Sequence, residues 1–443
     1  MKPDWETGLR GRLYALGRRA VPLAWRRALR RRIRPERLLG LRKPGLDLEW
    51  SAPDPGPPRE GRADVLILPV IAWSYRRQRP QQLAAALARR GRRVFYGSLE
   101  GSGEPDEPVG VAPGVTLLPI AGIRREDPSD RRLGGRTLDA AAAGLEAARA
   151  RFGLGEADVV VQSPYWAPLA AELRRRFGGR IVYDCLDAHE GFSTNRPGIL
   201  EAAERELASA ADLVLATSEP LRRRLASEAR DARLLPNACD FEPFAGIPAA
   251  ARHADAGALT VGYIGAVDDW FDLDLVGELA RIRPRWRFEI VGAVEGVGLD
   301  LPRRENLVFL GERPYREMPS CHARFDAEMI PFRLSTLTHA TDPVKLYEAA
   351  AAGRGVVATP MESLAPFARR GLVRLAATAG DFARELERAA AGGQAQAVRL
   401  REFARENTWE ARAETLDAWL TAARSRGTVR PETSETDAEH RTL

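Results

Sequence analysis

The chain has 443 residues and a hydrophobic content of 44%, which is enough for two domains of ordinary size. Its three cysteines, Cys185, Cys239 and Cys321, are far apart and odd in number, so the sequence offers neither a disulfide framework nor a paired zinc motif, and we expect a reducing compartment. Because no apolar run of about 18 residues and no apolar signal core occurs, we expect a cytoplasmic protein that is neither secreted nor membrane-spanning.

Residues 1–58 form a basic arm. The formal net charge of the chain is +6, and this arm holds 14 Arg and Lys against 6 Asp and Glu, so the rest of the chain is slightly acidic. Trp25, Leu29 and Ile33 recur every four residues between arginines, a stripe that could lie on the anionic inner face of a membrane. The alternatives are a helix packed on its own domain, an arm that binds nucleic acid, or an arm without a partner. The acidic balance of the remaining chain argues against nucleic acid.

Strands and helices alternate in the first half of the chain. After a Pro-rich linker at 51–61, the strand pattern ADVLILP leads into a helix with Pro80 near its start and Gly91 at its end, and then into the strand RRVFYGSL. Three further helices are predicted, and they alternate with the strand patterns VTLLPI, ADVVVQS, RIVYDCLD and ADLVLATS. Such alternation predicts a doubly wound parallel sheet.

The alternation restarts after an Ala/Gly-rich stretch that begins near Ala245. Strand patterns in this half are LTVGYIGAV, WRFEIVGAV, NLVFLG, FDAEMIPF and GVVATP. The sequence therefore predicts two Rossmann-like α/β domains that face a cleft, and a helical segment at about 397–424 that packs across both. We assign the chain to a basic arm (1–58), a first domain (59–245), a second domain (256–400), a closing helix (401–424) and a disordered tail (425–443).

Lys345 is the most informative residue, because only three of the 67 basic residues are lysines and this one lies in the best helix-start signal of the chain. Asp342 suits the N-cap, Pro343 the first helical position and Gly353 the C-terminal end. A lysine in the first turn, beside free N–H groups and the positive end of the helix dipole, predicts a phosphate pocket. Glu348, one turn further on, could accept hydrogen bonds from sugar hydroxyls, so the pair predicts a nucleotide site. The alternative is a surface helix with a Lys–Glu pair.

Seven segments carry a resemblance to a known family. They are WSYRRQRPQQLAAALARRGRRVFY, IVYDCLDAHEGF, ADLVLATSEPLRRRL, LLPNACDFEPF, VGYIGAV, FDAEMIPF and DPVKLYEAAAAGRGVVATP. From about residue 62 to 420 the chain resembles bacterial glycosyltransferases of the two-Rossmann (GT-B) type, in the broad group 1 and group 4 sense, that build capsules, exopolysaccharides and teichuronic acid. The resemblance implies transfer of a sugar from a UDP- or GDP-linked donor, held mainly by the second domain, to a glycan or lipid-linked acceptor, held mainly by the first. It implies no cofactor and no required metal ion.

Two features depart from the pattern of the family. Glu348 matches the second of two glutamates that many relatives place eight positions apart, whereas the first would fall near Ala340 and is absent. The loop after Gly265 reads AVDDWFDLD and lacks the Arg/Lys pair of many relatives. The resemblance therefore implies that Lys345 and its helix N-terminus meet the phosphate charge of the donor.

Further donor-site candidates are turn and hydroxyl residues of the second half. Gly262 and Gly265 flank the turn after VGYIG, where a backbone could approach a diphosphate, although plain turn residues explain them as well. Thr338 and Thr341 could place hydroxyls on phosphate oxygens, and capping alone also explains Thr341. Tyr315 stands where relatives hold the nucleobase, and the alternative is a core aromatic residue.

Candidate catalytic residues follow a strand of the first half, at the sheet edge where doubly wound folds hold ligands. Asp187 is our first choice for the base that takes the acceptor proton, and His189 is the second. Asp184 either lies at the same edge of the cleft or accepts hydrogen bonds from the amides of its loop. Gln78 and Arg79 open the first helix at the floor of the cleft, where they meet acceptor or donor phosphate or form a solvated helix start.

Other functions stay open at this point. A nucleotide-sugar epimerase shares the two-domain architecture, and a non-catalytic glycan-binding protein could retain the fold. A dinucleotide oxidoreductase is disfavoured because no G-x-G-x-x-G follows the first strand of either half.

Overall fold

The computed structural model describes residues 49–59, 61–100, 102–124, 133–192, 198–249, 258–295, 301–302 and 304–427. The stripe of Trp25, Leu29 and Ile33 lies outside these ranges, as does most of the tail assigned to 425–443.

Eight strands form the sheet of the first domain. They are β1 (Asp64–Leu68), β2 (Val94–Glu100), β3 (Val109–Ala112), β4 (Val115–Arg124), β5 (Ala157–Val161), β6 (Arg180–Cys185), β7 (Leu213–Ala216) and β8 (Ala232–Leu234). Their order in the sheet is β3-β4-β2-β1-β5-β6-β7-β8, and all neighbours are parallel except β3 and β4. The helices of this part are α1 (Arg79–Arg89), α2 (Gly135–Phe152), α3 (Ala167–Phe177), α4 (Ile199–Ala210), α5 (Glu219–Leu225) and α6 (Glu242–Ala245).

Six parallel strands form the second sheet. They are β9 (Thr260–Ile264), β10 (Arg287–Val291), β11 (Leu307–Gly311), β12 (Ala327–Ile330), β13 (Gly355–Ala358) and β14 (Arg374–Leu375), in the order β11-β10-β9-β12-β13-β14. The helices are α7 (Leu273–Ile282), α8 (Met318–Ala323), α9 (Thr336–Ala340), α10 (Val344–Ala351), α11 (Ala365–Arg369), α12 (Ala379–Ala390), α13 (Gly393–Glu406) and α14 (Trp409–Gly427). Short 3₁₀ turns lie at Pro164–Trp166, His189–Gly191, Tyr315–Glu317 and Glu362–Leu364.

Helices cover both faces of the first sheet, which is why its central strands read as continuous apolar runs. Strands β1, β5 and β7 are buried along their whole length. In the first domain, α2, α3 and α4 pack on one face of the sheet, and α1 and α14 pack on the other. The two doubly wound Rossmann-like domains predicted from the sequence are confirmed.

The C-terminal segment crosses back to the first domain as two helices, where the sequence pattern predicts one. Helix α13 packs on α10 in the second domain, and α14 packs on α1 in the first. At the break between them, the backbone of Cys239 pairs with Asn407 and Trp409, with N···O distances of 3.2 Å. Trp409, Leu416 and Leu420 then enter the core of the first domain.

Replacing Asp417 on α14 should destabilise the protein, because its carboxylate pairs with a buried guanidinium. Arg92 Nε donates to Asp417 Oδ1 at 2.6 Å, and the Arg92 side chain is 1% exposed. We expect Asp417→Ala to lower the free energy of unfolding by about 3 kcal/mol or more, measured by urea denaturation. Glu410→Ala, also on α14, removes an exposed ion pair with Arg89 and should lower the free energy of unfolding by less than about 1 kcal/mol. Equal losses for the two variants would contradict this assignment.

Candidate active site

The candidate site lies where the C-terminal edges of the two sheets face each other. Asp187 follows β6 in the first domain, Gly265 follows β9 in the second, and α10 carries Lys345 and Glu348. Thr341, just before α10, reaches across to the first domain. The structure therefore brings together five of the residues that were predicted from separate segments of the sequence.

The Lys345 amino group stands over two aromatic rings. Nζ lies 4.8 Å from the ring centroid of Phe332 and 5.3 Å from that of Tyr263. Burial lowers the pKa of Lys345 to about 8, although the negative charges of Glu348 and Asp187 raise it. No carboxylate within the described ranges is close enough to Nζ for an ion pair. Lys345 is thus a half-buried cation, located between two carboxylates but bound directly to neither.

Gly265 makes room for this lysine. Its φ angle is +146°, and a Cβ at this position would lie 2.9 Å from Lys345 Cε and 3.0 Å from the Tyr263 hydroxyl. Gly292, after β10, has a φ of +149°, and a Cβ there would lie 1.9 Å from the carbonyl oxygen of Gly265. Only glycine suits both positions, because the backbone is left-handed and the neighbours are too near for a side chain.

Glu348 belongs to a buried polar group that both domains build. Burial raises the pKa of Glu348 to about 7, and the negative charge of Asp240 raises it further. Gln82, on α1, donates from Nε2 to Asp240 Oδ2 at 2.9 Å. The Tyr315 hydroxyl is buried beside both carboxylates, and the pKa of Tyr315 is raised well above its ordinary value by burial and by these two charges. The sequence reasoning assigned no role to Gln82 or Asp240, although both lie in segments that carry the family resemblance.

Asp187 is half-buried and faces the second domain. The Thr341 hydroxyl lies 3.2 Å from Asp187 Oδ1. Burial raises the pKa of Asp187 to about 7, while the hydrogen bond from Thr341 and the charge of Lys345 lower it. A carboxylate that titrates near neutrality can take up a proton during a reaction and release it afterwards.

His189 lies in a different group, inside the first domain. It is buried, and its ring nitrogen lies within 4.8 Å of Cys185 Sγ and a Glu204 oxygen. Burial lowers the pKa of His189 and raises that of the Cys185 thiol well above its ordinary value. Arg224 Nη1 donates to Glu204 Oε2 at 2.7 Å. This group suits a metal ion poorly, since the thiol is held protonated and a guanidinium already supplies the positive charge.

Arg79 and Asp184 form a buried ion pair beneath the cleft. Arg79 Nη2 donates to Asp184 Oδ1 at 2.7 Å, and Nη1 donates to the carbonyl oxygen of Pro236 at 3.2 Å. Gln78 is the exposed N-cap residue of α1, and its backbone N–H donates to Gln81 Oε1 at 3.1 Å. The contact of these residues with substrate phosphate stays a prediction.

Two residues near α10 have structural partners that the sequence pattern did not indicate. Thr338 Oγ1 accepts from the backbone N–H of Ser335 at 2.9 Å, so this hydroxyl caps α9. The N-cap expected at Asp342 is wrong, because Pro343 occupies that position. The Asp342 carboxylate instead accepts from the backbone N–H of Asn237 at 2.7 Å and from the Tyr347 hydroxyl.

The stability of the protein should fall as the pH rises through neutrality, and Glu348→Gln should reduce this dependence. In the unfolded chain glutamate titrates near about pH 4, so the folded chain, with a Glu348 pKa of about 7, binds more protons between these values. The melting temperature should therefore be lower at about pH 8 than at about pH 6. Glu362→Gln, at an exposed position, is the control and should keep the dependence of the parent. A Glu348→Gln protein with the full pH dependence would refute the role of Glu348.

Several solved structures share the two-domain fold of this chain. Sucrose-phosphate synthase from Thermosynechococcus elongatus superposes with a TM-score of 0.64 at 16% identity, over 82% of this chain and 100% of that chain. A structure from E. coli, described as trehalose-6-phosphate bound with UDP-2-fluoro glucose, gives a TM-score of 0.57 at 12% identity, over 81% of this chain and 99% of that chain.

None of the helices in the described ranges combines the length and apolar character that crossing a bilayer requires.

Two family models match consecutive parts of the chain. Residues 77–238 match the Glycosyl transferase 4-like domain, and residues 258–392 match Glycosyl transferases group 1. Over 203 residues the chain is 26% identical to a Bacillus subtilis (strain 168) protein, TuaH, named as a teichuronic acid biosynthesis glycosyltransferase, and the match covers 42% of this chain and 51% of that protein. The chain thus spans about half the length of this curated relative. With both domain models in order on two Rossmann-like domains, the chain belongs to the bacterial GT-B glycosyltransferases of group 1.

Proposed function

We propose that this chain transfers a sugar from a nucleotide-sugar donor, UDP- or GDP-linked, to a glycan or lipid-linked acceptor of cell-surface polysaccharide synthesis. The observation that carries the proposal is the position of Lys345, a cation without a direct carboxylate partner in the described structure, beside the Gly265 turn. A charged amino group at the start of a helix is suited to bind a diphosphate. The name of the TuaH relative supports a cell-surface acceptor, and the UDP-sugar analogue in a structure of the same fold makes UDP the first nucleotide to test.

In the proposed reaction each charged group has one step. When the bond between the sugar and the diphosphate breaks, negative charge grows on the leaving diphosphate, and the Lys345 ammonium stabilises it. Glu348 accepts hydrogen bonds from ribose hydroxyls. Asp187, on the opposite domain, takes the proton of the acceptor hydroxyl. Because Lys345 supplies positive charge at the leaving group, the proposal includes neither a metal ion nor a cofactor.

Lys345→Ala should weaken binding of the cognate nucleoside diphosphate by roughly 10- to 150-fold near pH 7, since it removes a charge-assisted contact. In the parent, this affinity should fall as the pH rises through about 8, where Lys345 loses its proton. The variant should lack that step, because it has no group there to titrate. Calorimetry across the pH range measures both the affinity near pH 7 and its fall near pH 8. Equal affinities for parent and variant would exclude Lys345 from the donor site.

Asp187→Asn should lower turnover by about 10²- to 10⁴-fold and leave donor affinity nearly unchanged, because the amide cannot take up the acceptor proton. In the parent, turnover should rise with pH through about 7, where Asp187 becomes charged. Asp231→Asn, at a partly exposed position of the same domain, should behave as the parent. If Asp187→Asn retains most of its turnover, the base is His189 or the reaction needs no protein base.

Conversion of the donor to an epimer without acceptor would contradict the transferase proposal itself.

We also propose that the basic arm docks the enzyme on an anionic membrane, as its charge and apolar stripe support. The last residues of the arm pack on the first domain: the Ser51 N–H donates to Gly110 O at 3.0 Å, and Arg93 Nη1 donates to Gly56 O at 3.1 Å. A deletion should therefore remove residues 2–48 only. The full chain should co-sediment with phosphatidylserine vesicles at low salt and be released at high salt, and the deleted chain should not bind. Equal binding of both chains, or of neither, would refute the proposal.

A further inference from the structure

The second domain offers little positive charge for a donor diphosphate. The loop after Gly265 holds four aspartates and no base: Asp268, Asp269, Asp272 and Asp274. Each phosphate group of a nucleotide sugar carries a negative charge, so Lys345 alone leaves part of this charge without a counter-ion. The N-terminus of α10 meets part of it, and a second cation from elsewhere in the molecule would complete the site if the diphosphate binds at this turn.

Arg76 is in a position to supply that charge from the opposite domain. It lies in the loop between β1 and α1, and its guanidinium extends across the cleft to two carboxylates of the second domain. Nη2 lies 2.7 Å from Glu295 Oε1, and Nε lies 2.6 Å from Glu312 Oε1. Glu295 follows β10 and Glu312 follows β11, so Arg76 reaches the same sheet edge as Gly265. All three side chains are partly exposed, with 20% to 35% of each accessible.

Tyr263 is close to both this guanidinium and the amino group of Lys345. The Tyr263 hydroxyl donates to the carbonyl oxygen of Ala266 at 2.8 Å and lies 3.0 Å from the position of a Cβ on Gly265. Arg76 is near enough for its charge to lower the pKa of this phenol, which burial raises. The Lys345 amino group lies over the ring of the same tyrosine. Arg76 and Lys345 therefore approach the Gly265 turn from different domains.

We propose that Arg76 is the second cation of the donor diphosphate site, and that it exchanges glutamate oxygens for phosphate oxygens when the donor binds. This inference rests on the proposed function. A guanidinium fork binds carboxylate and phosphate groups with the same geometry, so the exchange keeps its hydrogen bonds while it places positive charge on the diphosphate. Because Arg76 belongs to the first domain, donor binding would also hold the two domains together.

The main alternative is that Arg76 only ties the domains together through its glutamates. The two hypotheses predict opposite effects of Glu295→Gln on nucleoside diphosphate binding. If Arg76 must leave Glu295 to bind phosphate, removal of that charge favours the exchange and should tighten nucleoside diphosphate binding. If the ion pair merely closes the cleft, the same substitution should weaken binding, as Arg76→Gln does. Arg223→Gln is the control, because it breaks another ion pair between the domains, with Glu362, outside the proposed site.

The test is calorimetry with UDP, GDP, ADP and dTDP, using whichever the unmodified protein binds. Arg76→Gln should weaken binding roughly 10- to 100-fold, Arg76→Lys should weaken it less because it keeps the charge without the fork, and Arg223→Gln should leave it within about two-fold. Glu295→Gln should bind more tightly than the parent. Unchanged binding by Arg76→Gln, or weaker binding by Glu295→Gln, overturns this inference alone. Failure of the unmodified protein to bind any of the four overturns the proposed function as well.

Discussion

The arrangement of the cleft depends on a buried chain of hydrogen bonds that crosses from one domain to the other. Asp184, at the end of β6, holds Arg79 at the start of α1, and the Nη1 of this arginine lies 3.4 Å from Asn237 Oδ1. The Asn237 backbone N–H in turn donates to the Asp342 carboxylate, and its Nδ2 donates to the Asp342 carbonyl oxygen. The Tyr347 hydroxyl, on α10, donates to the Asp342 carboxylate. Buried polar groups are stabilising only when their partners are in place, so this chain fixes the start of α10 relative to the first sheet.

The charges that line the cleft are less well compensated than those beneath it. Asp184 and Arg79 neutralise each other, whereas the half-buried Asp187 and the buried Glu348 have no directly paired cation among the described residues, and the pKa of each is raised to about 7. Burial lowers the pKa of Lys345 at the same place. Each of these shifts means that the charged form is less stable in the fold than in water. Such an arrangement is typical of a site whose charges are completed by a ligand, and the raised pKa values of its two carboxylates account for the expected fall in stability as the pH rises through neutrality.

Local patterns in the sequence predict most of the fold, and contacts between distant residues account for what they miss. Continuous apolar runs identify the central strands because those strands are buried on both faces. The edge strands β3, β8 and β14 have two to four residues each, too few for a pattern. In the site, Lys345 stands out from its helix-start signal alone. The contacts of Arg79 with Asp184 and of Asp342 with Asn237 each join residues 105 positions apart along the chain, so no local pattern predicts them.

The surroundings of each position in the cleft explain why residue 345 is a lysine and residue 76 an arginine. A Cβ on Gly265 would lie 2.9 Å from Lys345 Cε, and the Lys345 amino group lies above the rings of Tyr263 and Phe332. A planar guanidinium would need more room there than a compact ammonium does. Arg76 instead reaches across the cleft, where its fork engages two carboxylates at once. In a chain that is otherwise rich in arginine, the one lysine of the described ranges therefore lies where a compact, titratable cation packs beside a glycine.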